Sequence, residues 1–417
     1  MVRDGDVNET PGPRPLDGIR VLDLTRVLAG PLGTMILGDL GADVVKVERP
    51  GVGDDLRAWG PPWSADGVSA YFLAVNRNKR SIGLDLKAAD GKELLKRLVR
   101  DADVVVENFR AGTLDALGLG WDVLSAENPR LVLVSLTAYG SSGPYRDLPG
   151  YDIVVQAIGG IMSVTGEPDG RPMRVGVAIV DVLSGSYIAI AILAALRERD
   201  RTGEGQMVEL SLLDVELASL VNVVHNQLIA GEPPRRLGNA HPTIVPYDVF
   251  ATADSHLALA VATEDQWMRL CRAIGRPELA TDDRFATNGR RVAEREALME
   301  IVEPILVGRR TADWVTDLRA ADIPCGPVNT VGEILADPAV VDSGILIELD
   351  RPEGAVRVVG SPLRFAAGPL PAAPPPRLGQ DSRTILREAG LDDEAIERLI
   401  AAGVVSAEPP RADDLAT

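Results

Sequence analysis

Short apolar runs separated by helical stretches constrain this chain more than anything else in it. Residues 19–24 (IRVLDL), 43–48 (DVVKVE), 81–86 (SIGLDL), 103–106 (DVVV) and 131–135 (LVLVS) each have the length and composition of a buried strand. Between them, residues 30–40 can form a helix. Residues 90–100 (DGKELLKRLVR) have amphipathic spacing, with Asp90 placed as the N-cap. A helix between two strands joins parallel neighbours, so the expected fold class is α/β with a mostly parallel sheet covered on both faces.

The pattern changes further along. Residues 152–162 and 182–199 read as apolar helices, 206–210 as a strand and 212–230 as one more helix. The segment GEPPRRLGNAHP, from Gly231, breaks every periodicity, and a domain boundary is expected there. Two short strands and Arg/Glu-rich helices follow, then another Pro/Gly-punctuated stretch. At 417 residues the chain is too long for one ordinary core. The expected division is a large domain over 1–230, a smaller α+β domain over 231–330, and a return segment over 331–417. The polar first residues and the polar tail are expected to add nothing to either core.

Charge narrows the function. A formal net charge of −18 repels phosphate backbones and argues against nucleic acid as a partner. Any anionic ligand would need local Arg or Lys set against that field. Arg49, Arg57, Arg77, Lys79, Arg80 and Lys87 form such a cluster in sequence. Two cysteines outside any CxxC pair and three histidines leave little for a metal site or disulfides, and fit a reducing cytoplasm. GxSxG is missing, which weakens a hydrolase reading. The apolar run 188–196 is too short to span a bilayer and reads as a buried helix.

Asp181 is the first candidate for chemistry. It is a lone carboxylate in VGVAIVDVLSGSYIAIAILAAL. One reading is a helix N-cap; the other is a carboxylate nucleophile in a dry pocket. The Gly-containing turn VLAGPLG (27–33) can receive a phosphate or serve as an ordinary tight turn. Gly238, Asn239, Ala240 and His241 form either a linker or a lid.

Several stretches resemble the family III CoA-transferases, the group of formyl-CoA transferase, carnitine CoA-transferase and α-methylacyl-CoA racemase. They are PLDGIRVLDLTRVLAGP, GADVVKVERPGVGD, NRNKRSIGLDLK, ADVVVENFRAGTLDALGLGW, GYDIVVQAIGG, TGEPDGRPMRVGVAIVD, TGEGQMVELSLLD, IPCGPVN and RLGQDS. They occur in order from Pro15 to Ser382. The stretch LGNAHPTIVPYDVF is similar to dicarboxylate transferases of the succinyl-CoA:glutarate type.

The resemblance implies a Rossmann-like large domain built from both termini, a small domain, and an interlocked homodimer. It implies CoA transfer between carboxylic acids with a CoA thioester as substrate, and neither a resident cofactor nor a metal. Asp181 falls on the catalytic aspartate, which would pass through an acyl anhydride and an aspartyl-CoA thioester. CoA contacts fall on Leu28, Ala29, Arg49, Leu84, Lys87, Asn108, Phe109, Arg110, Tyr151 and Asp152. Arg174, Asn239 and His241 are candidates for the substrate carboxylate. Ala116 stands where some relatives carry a CoA-binding arginine, so another cation must compensate. Leu28 replaces the glutamine of formyl-CoA transferase. The racemase branch needs a histidine where this chain has Tyr151, and a phenol with a pKa near 10 is a poor substitute. Racemisation and CoA binding without turnover are the alternatives.

Overall fold

The computed structural model describes residues 14–408, apart from 232, 367 and 371; the polar terminal stretches lie outside the described residues. The chain forms two compact units. The first takes the chain up to Gly159, Gly176–Val221, and everything from Ser343 onward. The second takes Gly160–Val175 and Asn222–Asp342. The change of unit thus falls at Val221 rather than Gly231, and the second unit also claims residues 160–175.

The first unit is built on strands β1 (Arg20–Asp23), β2 (Asp43–Glu48), β3 (Lys79–Leu84), β4 (Val104–Glu107), β5 (Val132–Thr137) and β6 (Gln206–Ser211). Their spatial order is β3-β2-β1-β4-β5-β6, all parallel. A short strand near the C-terminus, Val405–Ser406, adds antiparallel to β3, with Val405 opposite Leu84. The far end of the sequence therefore completes the sheet that its beginning starts. Val21, Val44, Val104 and Val132 point into one apolar core, while Leu22, Val45, Val105 and Leu133 point into another. Both faces are covered, which is why these strands read as continuous apolar runs rather than alternating ones.

Helices α1 (Ala29–Asp39), α2 (Ala89–Arg100), α3 (Asp152–Gly159) and α4 (Ile179–Thr202) belong to this unit. The N-cap of α2 is Ala88, and Asp90 sits inside the first turn, where its charge still favours the helix dipole. α4 is long and apolar enough to cross a membrane; it places Val180, Ile188, Ile192 and Leu196 among the buried residues packed beside α1 and β5, while Tyr187, Ile190 and Leu193 are exposed. The helix expected over 212–230 is two helices, Leu212–Ser219 and Val221–Ala230, broken where Val221 takes a positive φ of 31°.

The second unit carries a three-stranded antiparallel sheet of Tyr247–Ala251, His256–Ala260 and Cys325–Pro327. Helices pack on it around Phe250, Trp267, Phe285 and Trp314. The α+β character comes from hairpin pairing of the first two strands.

Candidate active site

Strand order reverses between β1 and β4, since the chain runs from β1 outward to β3 and then returns to start the other half at β4. Loops leaving the carboxyl ends of two such strands diverge and leave a crevice between them. Here that crevice is a cleft of about 400 Å³. Its walls are Arg26, Val27, Leu28 and Ala29 after β1, and Asn108, Phe109 and Arg110 after β4. Thr137 and Ala138 after β5, then Gly150, Tyr151 and Asp152, continue it as far as Asp181.

Asp181 lies in the first turn of α4. Ala178 occupies the N-cap position and has no side chain able to cap. The cap comes from elsewhere: the buried carboxylate of Asp152 accepts the N–H of Val180 at 2.9 Å and that of Asp181 at 3.3 Å. Gln156, one turn along α3, donates to the other oxygen of Asp152. Asp181 is therefore not the N-cap but a carboxylate facing the cleft beside a second carboxylate. Burial and then the Asp152 charge push its pKa up to about 7. Burial, then the Asp181 and Asp152 charges, also push the Tyr71 phenol up.

The cleft sets three arginines among three aspartates, Asp55, Asp152 and Asp181. Arg26, Arg110 and Arg146 line it. Burial first, then the neighbouring Arg49, lowers the pKa of Arg26, whose guanidinium lies 5.2 Å from the centre of the Phe109 ring. Sequence reasoning missed Arg26 and Arg146; Arg26 stands directly before VLAGPLG, and that adjacency was the available signal.

Of the residues assigned by resemblance, Leu28, Ala29, Asn108, Phe109, Arg110, Tyr151, Asp152 and Asp181 converge on the cleft. Of the CoA contacts so assigned, three stand apart from its lining. Leu84 is buried in the core. Lys87 is exposed on the loop after β3. Arg49 pairs with Asp55, which does line the cleft. The Asn108 amide is committed to backbone, accepting from Arg26 N–H and donating to Arg26 C=O, each at 2.8 Å.

Most of the basic cluster read from the sequence is not a surface patch. Arg77 pairs with Asp39, Lys79 with Asp23 and Arg57 with Glu48, all largely inside the protein. Arg80 pairs with Asp43 and Glu388. A cation taken out of water needs a fixed counter-charge, and these have one.

In the second unit, Arg174 and Asn239 are exposed. The loop through His241 is anchored. Gly238 N–H bonds Gly166 C=O at 3.1 Å, Arg236 holds the carbonyls of Glu167 and Gly170, and Arg295 holds that of His241. The His241 ring packs on Tyr247 at 5.2 Å.

The model of the CoA-transferase family III matches residues 16–382 of this chain. The chain is 46% identical over 391 residues to the succinate–glutarate CoA-transferase of Agrobacterium fabrum, covering 92% of this chain and 97% of that one. It is 41% identical to the succinyl-CoA:glutarate CoA-transferase of Mus musculus, covering 94% and 90% respectively. A crystal structure of a CAIB/BAIF family protein from Brucella suis superposes with a TM-score of 0.80 at 43% identity, over 90% of this chain and 99% of that chain. A parallel sheet with its crevice at the strand-order reversal, an aspartate of raised pKa at the helix end and collinear similarity over nearly the whole length agree: the chain belongs to the CoA-transferase family III.

Proposed function

We propose that the enzyme moves CoA from succinyl-CoA to a small dicarboxylate such as glutarate, with Asp181 as the covalent carrier. The observation that carries this is the placement of Asp181 in the lining of a cleft that also carries three arginines. Similarity to glutarate-using relatives over more than nine-tenths of the chain supports the substrate pair.

The reaction balances as carboxylate exchange. A carboxylate oxygen of Asp181 attacks the thioester carbonyl, the C–S bond breaks, and CoA leaves as thiolate from a succinyl–aspartyl anhydride. A thiol pKa of about 8.5 makes this a good leaving group. The thiolate then attacks the aspartyl carbonyl, releasing succinate and leaving an aspartyl-CoA thioester. The acceptor carboxylate attacks that thioester, and the returning thiolate opens the new anhydride on its acyl side. The product thioester forms and the Asp181 carboxylate is restored. Each nucleophile is already an anion, so no general base is required, but water must be kept away from every intermediate. A partly buried Asp181 suits that need. An exposed Tyr151 beside Asp152, rather than an imidazole, favours transfer over proton exchange at an α-carbon.

The working unit in this reading is an interlocked homodimer. Its support is apolar surface. In the first unit Ile153 and Ile190 are exposed, and in the second Leu228 and Ile229 are exposed at 73% and 85%. Sedimentation would return a dimer mass; a monomer at micromolar concentration would remove this part. The two cysteines, both free thiols, suit a cytoplasmic site.

The test is a panel of mono- and dicarboxylates offered with succinyl-CoA, with mass spectrometry of the protein. Wild type should carry a covalent CoA adduct on Asp181, and Asp181→Ala should neither form it nor transfer. Transfer near the wild-type rate in Asp181→Ala would end the mechanism.

A further inference from the structure

The turn between β1 and α1 is held by the last side chain of β1 and by three that belong to neither element. Thr25 N–H donates to Asp23 at 2.9 Å. Thr25 C=O accepts from Lys46 Nζ at 2.9 Å. Both backbone groups of Arg26 are taken by the Asn108 amide. Val27 N–H donates to Asp54 Oδ1 at 3.2 Å. Five consecutive backbone polar groups are thus fixed, and two of the side chains responsible are joined: Lys46 Nζ lies 2.9 Å from the Asp54 carboxylate, with both side chains essentially out of solvent.

Such a fixture is costly to build. A lysine in the middle of a strand covered on both faces must bring its own counter-charge. Val27 has a φ of +66°, a conformation that a β-branched residue adopts only when its surroundings impose it. The bond from Asp54 to Val27 N–H and the bond from Lys46 to Thr25 C=O bracket the approach to that strained residue. Leu28 and Ala29, directly after it, are part of the cleft wall.

We infer that Asp54 is a positioning residue for CoA binding, with Lys46 as its buried counter-charge: by accepting Val27 N–H, Asp54 sets the wall against which the ligand lies. This rests on the reading that the cleft takes a CoA thioester. It adds residues that touch no ligand and act through the turn.

The decisive comparison uses two double variants that delete the same pair of charges. Lys46→Met with Asp54→Asn keeps an oxygen for Val27 N–H; Lys46→Met with Asp54→Ala does not. The affinity for free CoA, by calorimetry, and the rate of Asp181 adduct formation are measured on both. The Asn variant should stay within about threefold of wild type, and the Ala variant should lose about tenfold or more in both readouts. A folded Ala variant with wild-type CoA affinity overturns the inference. Hydrogen exchange on the wild type supplies a check independent of variant folding. Amides 25–27 should exchange as slowly as those of β1, and exchange as fast as the exposed 141–147 loop would equally overturn it. A wild type that binds CoA yet forms no adduct would instead count against the proposed mechanism, and CoA affinity would still judge the clamp.

Discussion

Asp152 caps the helix that carries Asp181: one oxygen of its carboxylate accepts the N–H of Val180 at 2.9 Å and of Asp181 itself at 3.3 Å. Two carboxylates consequently share one helix end. The backbone N–H groups and helix dipole favour the Asp152 anion there. Asp181, buried and next to that charge, is pushed up to about 7. A carboxylate held this high is a stronger nucleophile once ionised, but its ionised fraction becomes sensitive to pH near neutrality.

That sensitivity sets the pH profile. In the proposed mechanism Asp181 must be ionised to attack, so kcat/KM should climb about tenfold per pH unit below 7 and level off above it. Asp152→Asn keeps the acceptor for the helix N–H groups, and the Gln156 amide can turn to meet it. Only the charge is lost. The acid limb should then move to lower pH. An unmoved limb would show that Asp152 does not set the Asp181 titration.

Stability should carry the opposite signature. The folded-state pKa of Asp181, about 7, lies above its ordinary value of 3.8. Below the lower value both states hold the proton and nothing is lost. As pH rises through this window the unfolded chain ionises first, and the native state loses stability until ionisation is complete above pH 7. Asp181→Asn should therefore be more stable than wild type at about pH 8, by about 1–2 kcal/mol after allowing for the solvent that reaches the side chain, and little changed at about pH 4. Denaturant titrations at the two pH values measure this.

Arg26 and Arg49 should differ. Arg26 lines the cleft with its guanidinium on the Phe109 ring, whereas Arg49 is half exposed and paired with Asp55. Arg26→Ala should raise the KM for the CoA thioester about tenfold, equivalent to about 1.4 kcal/mol, with kcat within about threefold. Arg49→Ala should do less. Steady-state kinetics with the donor varied gives the order, and Arg49 exceeding Arg26 would relocate the nucleotide end of the site.

The parallel sheet was legible because burial on both faces writes itself into the sequence as runs such as DVVKVE and LVLVS. Asp181 was legible as a lone carboxylate in an apolar stretch, and similarity then gave it a role. Its cap was not legible, because Asp152 is 29 residues away and no local pattern links them. Charge pairing misled for the same reason. Arg77 and Lys79 look like surface cations until Asp39 and Asp23, far back in the sequence, are folded against them. Nor could the sequence say that Leu212–Ser219 and Val221–Ala230 are separate helices, since both halves keep helical spacing up to the break.

Glycine inside a helix ordinarily weakens it, yet α1 and α4 each carry one where they cross. A methyl group on Gly33 of α1 would lie 2.7 Å from the Ile188 side chain, and one on Gly185 of α4 would lie 2.9 Å from the carbonyl of Ala29. Gly185 is one turn beyond Asp181, and Ala29 is a wall of the cleft. The missing side chains thus set the separation between Asp181 and that wall. Gly185→Ala gains helix propensity, so a purely local effect would be stabilising by about 1 kcal/mol. Contact with a backbone carbonyl should reverse that sign and cost about 1–3 kcal/mol, because the carbonyl can yield only if α1 moves. It should also slow Asp181 adduct formation more than it weakens CoA binding, since the displacement falls between the reacting groups. Thermal denaturation and single-turnover mass spectrometry on the same variant separate the two: a more stable enzyme reacting at the wild-type rate would mean that the crossing has slack and that Asp181 is positioned by Asp152 alone.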